Sequence, residues 1–496
     1  MATYVMAIDQ GTTGSRVMIV DRVGRIVSSN YAEFPQIYPQ PGWVEHNPEI
    51  IWETTLMVMK NALRDAKIPP QNIAGIGITN QRETTVLWDK DTLKPVYNAI
   101  VWQCRRSASI CDTLRKQGLE SRFQEKTGLV LDAYFSGSKV KWLFDQVPGL
   151  RAQAEAGKIA FGTIDSWLIA KLTGGKVHVT DYTNASRTLM FNIHEKTWDG
   201  DLLDILGIPA EILPRVVSSA AVVGQIDSEI LGAAIPIAGI AGDQQAALFG
   251  QGCFSEGQAK NTYGTGCFFL LNLADNQIKP GSGLILTLAC GPDGNPCYAL
   301  EGSVFVAGAV VQWLRDGLGL IADADETQGI AESVKDTQGV FLVPAFAGLG
   351  APYWDMYARG GILGITRGTH RAHIVRAALE GIAFQVKDLM GAFEKMTDMK
   401  FQELRVDGGA CRNDFLMQFQ ADILGCPVNR SRYLESTAMG AAFLAGLATE
   451  YWSSGAEIES LRKSDKIFFP KIDAEKRQKL YRAWLDAVQR VKSREK

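Results

Sequence analysis

Several kinds of chemistry are missing from this chain. Its 496 residues hold five histidines with no His-Glu-x-x-His pair, and eight cysteines with no Cys-x-x-Cys spacing. Neither a zinc centre nor a disulfide framework is expected, and a reducing, cytoplasmic setting is. An excess of charge is missing too. The formal net charge is -3, so nothing draws the chain to nucleic acid or to an anionic membrane surface. No apolar run is long enough to span a bilayer, and the one around Ile235 is broken by Pro236 and Gly239. The opening MATYVMAIDQ reads as a strand carrying an acid, not as a secretory signal. Neither Gly-x-x-x-x-Gly-Lys-Ser/Thr nor a clean Gly-x-Gly-x-x-Gly occurs, which argues against a P-loop or a Rossmann site.

What is present is length and patterning. A chain of this size suggests two domains, and 46% hydrophobic residues suffice for large cores. The 49 glycines cluster in short loops, as tight turns and ligand-facing backbone require. The chain is organised around residues 237–250, IAGIAGDQQAALFG. An apolar strand ends at Gly242, Asp243 follows at once, and a helix opens behind it. Open α/β sheets bind ligands just outside the carboxyl ends of their strands. A carboxylate there is placed to meet one, or simply to cap the helix.

The periodicities predict a strand, loop and strand meander over 4–8, 16–20 and 24–28, with a Gly/Thr tip at residues 9–15. A helix over 50–63 follows, then strands at 73–78, 86–88 and 99–102, and helices at 139–146 and 164–171. A second strand, Gly/Thr tip and strand unit spans 260–273. Beyond it come a helix at 307–314, a strand at 341–344, a long helix at 370–390 and a strand at 404–406. Helices at 414–424, 437–447 and 474–492 complete the chain. The last presents Leu480, Trp484, Val488 and Val491 on one face and a basic, solvated surface on the other. Two halves with like openings suggest an internal duplication, 1–252 and 253–496, sharing an interface and a hinge.

The two loops carry the first functional reading. Gly11, Gly14 and the hydroxyls of Thr12, Thr13 and Ser15 match Gly264, Thr265 and Gly266 in the second half. Successive backbone N–H groups in such turns make anion-binding concavities. Arg16 can offset phosphate charge. Asp9, at a strand end beside the first loop, is a candidate for the Mg²⁺ that accompanies a nucleotide triphosphate, or is a turn-capping residue.

The arrangement resembles the ATPase fold of actin, heat-shock-70 and hexokinase, in which two related domains clamp a nucleotide. Residues 9–16 and 261–268 look like its phosphate loops, Asp407-Gly-Gly-Ala410 like its adenosine loop, and 240–249 and 437–446 like its connecting segments. The resemblance narrows to the FGGY carbohydrate kinases. Residues 134–146 (YFSGSKVKWLFDQ) fit one signature of that family, and GGILGI at 360–365 with HIVRAALE at 373–380 fits the other. Within the family, ITNQRET at 78–84, GDQQAA at 242–247 and NTYGTG at 261–266 look like those of its glycerol-phosphorylating members.

The resemblance implies an α/β fold of two duplicated actin-like (ribonuclease-H-like) domains, with mixed sheets flanked by helices and the active site in the cleft between them. It implies ATP and Mg²⁺ as cofactors, glycerol as substrate and a homodimer or larger assembly. It assigns Asp243 as the catalytic base. Polyol contact falls to Arg82, Glu83, Tyr134, Asp243 and Gln244, with Trp102 and Phe268 as walls. Nucleotide contact falls to Thr12, Thr13, Gly14, Arg16, Thr265, Gly308, Gln312, Gly409 and Asn413. Physically, Arg82 can donate a fork of hydrogen bonds and Glu83 can accept them, unless the two are an ordinary surface ion pair. Gly14 departs from the family, where serine is common, so one side-chain donor is lost while the backbone amide remains. The family's fructose 1,6-bisphosphate loop carries Gly-Gly-Thr-Arg; here Gly232-Ala-Ala234 offers no arginine, and no histidine lies between His194 and His370. Neither sugar-bisphosphate nor phosphotransferase control is expected. A ketopentose or longer polyol is the alternative substrate, and a non-catalytic actin-like ATP-binding scaffold the alternative class.

Overall fold

The computed structural model describes residues 3–279, 281 and 283–493. Its frame is two mixed sheets. The first runs in the order Ala220–Gln225, Pro236–Gly242, Ile73–Asn80, Tyr4–Gln10, Gly14–Asp21 and Ile26–Glu33. Tyr4 to Glu33 form an antiparallel meander, and Tyr4–Gln10 then pairs in parallel with Ile73–Asn80, and that with Pro236–Gly242. The second sheet runs Ile285–Cys290, Pro296–Val304, Cys267–Ala274, Ala259–Tyr263, Leu404–Asp407, Val428–Ser431 and Ser464–Phe468. It repeats the scheme of an antiparallel group followed by parallel neighbours, here Ala259–Tyr263, Leu404–Asp407 and Val428–Ser431.

Burial explains the residue choice. Val5, Met6, Ala7 and Ile8 are all buried, because that strand is covered on both faces and so reads as an apolar run. Ile26–Glu33, at the sheet edge, alternates between half-buried and exposed. This strand starts later than the expected 24–28, because Asp21 to Arg25 form the turn and Gly24 takes φ 75° there. The strand expected at 99–102 shortens to Ala99–Ile100, leaving Trp102 outside the ladder.

The halves exchange helices. Asp243–Gly250 leaves the first sheet and packs on the second, where Leu248 meets Leu270, Ala289 and Ala299. Ser436–Ala448 does the reverse, seating Ala438, Ala441 and Ala445 against Val5, Ala7 and Ala238. The two helices also pack on each other, and only small residues permit that. A Cβ on Gly440 would lie 1.8 Å from the Ala246 carbonyl oxygen; where Ser436–Ala448 crosses the Ile73–Asn80 strand, one on Gly77 would lie 1.9 Å from that of Ala441. The C-terminal helix Ala474–Val491 is tied to Arg371–Thr397 through Asp388, which accepts from Tyr481 Oη (2.7 Å) and Trp484 Nε1 (2.9 Å). No helix among the described residues is long and apolar enough to cross a membrane. The eight cysteines are buried free thiols.

Candidate active site

The carboxyl ends of Ile73–Asn80 and Pro236–Gly242 lie side by side, with Asn80 level with Gly242. The chain leaving the first of these carries Arg82 and Glu83, and the helix leaving the second begins with Asp243. Gly242 occupies the N-cap position, so Asp243 is not the cap that its place in the sequence also allowed. Its Oδ1 instead accepts from the Gln244 amide at 2.8 Å and pairs with Arg82 Nε at 3.0 Å.

Arg82 and Glu83 are not a surface pair. Both are buried, and they are joined by Arg187 and Glu301, which the sequence did not single out. Arg82 grips Glu301 with both terminal nitrogens (2.6 and 3.1 Å), and Arg187 bridges Glu83 (2.6 Å) and Glu301 (3.1 Å). Arg82 also donates to Gln245 Oε1 at 3.2 Å. Burial opposes ionisation of Glu301, but the two guanidiniums prevail and hold its carboxyl down to about 2. Burial pushes Glu83 up, against the pull of Arg187 and Arg82. Glu83 also takes φ 61°, a left-handed conformation that costs a non-glycine residue energy and recurs at functional sites. Side-chain exposure separates the members: Arg82 2%, Glu83 1%, Arg187 and Glu301 0%, but Asp243 32%. The cluster is a buried anchor with one partly exposed carboxylate, Asp243.

Aromatic walls complete this part of the site. Trp102 and Tyr134 meet edge to face at 5.6 Å, and Arg187 lies 5.6 Å from the Tyr134 ring centroid. Trp102 Nε1 donates to Thr12 Oγ1 at 2.9 Å, which fixes the first Gly/Thr loop to the wall. Phe268 sits half-buried on the second sheet opposite Thr262. Gln244 does not turn toward Asp243; its Oε1 accepts from Lys260 Nζ at 2.5 Å.

A second region of the cleft is a cavity of about 440 Å³. Thr265, Gly308, Gln312, Gly409 and Asn413 all line it, so five of the expected nucleotide contacts come together. Arg315, Thr327 and Arg412 join them and were not foreseen. Asn413 also caps the Asp414–Leu424 helix, accepting from the Leu416 amide at 2.9 Å.

Thr12, Thr13, Gly14 and Arg16 lie outside that cavity's lining, on the first sheet's hairpin. Arg16 reaches across to Glu435, 3.2 Å away at the start of the Ser436–Ala448 helix, and lies 5.3 Å from the Tyr31 ring centroid. The same neighbouring strand explains Gly14. A Cβ there would lie 2.6 Å from the Ala32 carbonyl oxygen and 2.7 Å from Tyr31 ring carbons. Glycine is required by the Ala32 carbonyl and the Tyr31 ring together.

Among the described residues, no group of three or more His, Cys, Asp or Glu side chains is arranged to cage a metal. Mg²⁺ needs none, since it keeps waters and takes one or two carboxylates plus phosphate oxygens. Asp9 fits that requirement. Burial lifts its pKa to about 7, Arg16 opposes the shift, and Asp243 and Glu435 reinforce it. A site where carboxylates repel each other is one a hard cation relieves.

Known proteins share the chain's sequence and fold over its length. The family model described as "FGGY family of carbohydrate kinases, N-terminal domain" matches residues 4–250, and its C-terminal counterpart matches 259–449. The chain is 58% identical over 491 residues to a glycerol kinase of Caldanaerobacter subterraneus subsp. tengcongensis, covering 99% of each chain. It is 58% identical over 487 residues to glycerol kinase 2 of Thermotoga maritima, covering 98% of each. Among solved structures, Plasmodium falciparum glycerol kinase with ADP superposes with a TM-score of 0.93 at 39% identity, covering 99% of both chains.

Proposed function

We propose, from the premise that the chain belongs to the FGGY family of carbohydrate kinases, that it transfers the terminal phosphoryl group of ATP to glycerol, giving sn-glycerol 3-phosphate. The observation that carries the reading is the buried cluster of two guanidiniums and three carboxylates in which Asp243 is the one markedly exposed member, with Arg82 and Glu83 directly behind it. Full-length similarity to glycerol kinases supports the substrate.

Each residue then has a task. Arg82 and Glu83 bind hydroxyls of the triol, and Trp102, Tyr134 and Phe268 cover its carbon edge. Asp243, held by Arg82 at 3.0 Å, orients the attacking hydroxyl and takes its proton as the new P–O bond forms. Thr12, Thr13, Gly14 and Arg16 on one side, and Thr265 on the other, hold the phosphates. Gly308, Gln312, Gly409 and Asn413 hold the rest of the nucleotide. Asp9 would hold Mg²⁺, which when bound neutralises charge on the phosphoryl group. Catalysis is positioning plus electrostatics, with no covalent enzyme intermediate.

The test is turnover of ATP with glycerol, dihydroxyacetone and xylulose in parallel. The reading expects the highest kcat/KM with glycerol. A preference for xylulose would move the substrate to a ketopentose, and no turnover with any of them would leave an ATP-binding scaffold.

A further inference from the structure

Lys260 is fully buried on the Ala259–Tyr263 strand and forms no ion pair among the described residues. Lysine is almost never fully buried unless paired. Taking an ammonium out of water is expensive, and an apolar residue of similar volume commonly leaves a fold equally stable or more so. Stability therefore does not account for it. Its Nζ makes two contacts, with Gln244 Oε1 at 2.5 Å and Thr262 Oγ1 at 2.9 Å. Gln244 is the second residue of the helix that Asp243 begins, on the first half of the chain. Thr262 lies in the strand that runs into the Gly264–Thr265 loop lining the nucleotide cavity, on the second half. One side chain thus ties the neighbour of the candidate base to the strand behind the phosphate loop. Desolvation holds its pKa down to about 8, although Asp407, Glu301 and Asp243 favour the cation.

We propose that Lys260 is a positioning residue that couples the polyol pocket to the nucleotide loop, so that filling either site strengthens binding at the other. The proposal rests on the glycerol kinase reading above. A displacement of the phosphate loop moves the strand that carries Lys260 and Thr262, and through the ammonium pulls Gln244 and the start of the Asp243 helix. Coupling of this kind is reciprocal and typically amounts to roughly 5- to 150-fold in affinity.

The experiment is calorimetric titration of glycerol into wild type and Lys260→Met, each with and without saturating ADP. Wild type is expected to bind glycerol at least about fivefold more tightly with ADP present. In Lys260→Met the ratio is expected to fall toward one while the thermal midpoint holds or rises, which a merely structural lysine would not produce. Gln244→Met cuts the same tie from the other half without touching the charge, and is expected to lower the ratio in the same direction if Lys260→Met does not fold. A ratio unchanged in whichever variant folds, or a ratio of one in wild type, overturns the proposal. Wild type that binds no glycerol with or without ADP overturns the substrate reading beneath it, and the two failures are distinct.

Discussion

Lysine in place of Arg82 keeps the cation in the buried cluster and removes the fork. Arg82 spreads its contacts over Glu301 (2.6 and 3.1 Å), Gln245 (3.2 Å) and Asp243 (3.0 Å). A single ammonium can stay with Glu301 but cannot also reach Asp243 from the same position. The lost tie is a hydrogen bond between charged groups, worth about 1.5–3 kcal/mol. If that energy serves to orient Asp243, its loss lowers kcat roughly 10- to 150-fold. KM for MgATP should stay within about twofold, because no nucleotide contact is touched. The assay is coupled ADP release at saturating glycerol, with thermal melting as a control for folding. A folded Arg82→Lys enzyme with kcat within about threefold of wild type would refute the idea that Arg82 aims Asp243. Alanine is a poorer probe, since it leaves Glu301 and Glu83 with Arg187 alone and mixes instability into the kinetics.

Glu301 makes a pH prediction. Its carboxyl is held at about 2 against an ordinary 4.5, so its stabilisation is present above pH 4.5 and disappears as pH falls toward 2. Glu301→Gln should be about 3 kcal/mol less stable at pH 7, with the gap to wild type narrowing in acid unfolding curves; a constant gap would contradict the assignment. Gly440→Ala should lower the melting temperature, because its Cβ falls 1.8 Å from the Ala246 carbonyl oxygen and the two exchanged helices must separate. Gly14→Ser should raise KM for ATP, since its Cβ would meet the Ala32 carbonyl oxygen and the Tyr31 ring, and Tyr31→Ala should relieve the defect only in part because the carbonyl stays; an unaffected single variant would remove that explanation. Millimolar fructose 1,6-bisphosphate should leave activity flat, and clear inhibition would show a control site that the Gly232-Ala-Ala234 loop does not suggest.

Local pattern carried much of the fold. The helix expected at 414–424 is found at Asp414–Leu424, and the strand and helix around Asp243 lie where an apolar run ending in glycine and acid puts them. Five of the expected nucleotide contacts converge on one cavity: Thr265, Gly308, Gly409 and Asn413 sit in loops or at helix ends, and Gln312 lies one turn into the helix that Gly308 begins. What escaped was partnership across the chain. Arg187 follows the short helix Tyr182–Ala185 and Glu301 lies mid-strand, and neither has a local cue that places it in the Arg82 cluster. A usable signal did exist for one of them: Glu301 is a lone acid in the largely apolar strand Pro296–Val304, where a charge must have a buried reason. Gly14 was readable only as a loss, because the residues that require it lie on the neighbouring strand.

The central claim is that Asp243 takes the proton of the attacking hydroxyl, and kcat of Asp243→Asn across a Mg²⁺ titration tests it most directly. Asparagine keeps the size and the hydrogen bond but cannot act as a base, so kcat should fall about 10²- to 10⁴-fold at every metal concentration. Asp9→Asn, run alongside, should recover partly as Mg²⁺ rises. A near-wild-type kcat for Asp243→Asn would contradict the account and leave that carboxylate as an anchor for Arg82 at the start of a helix.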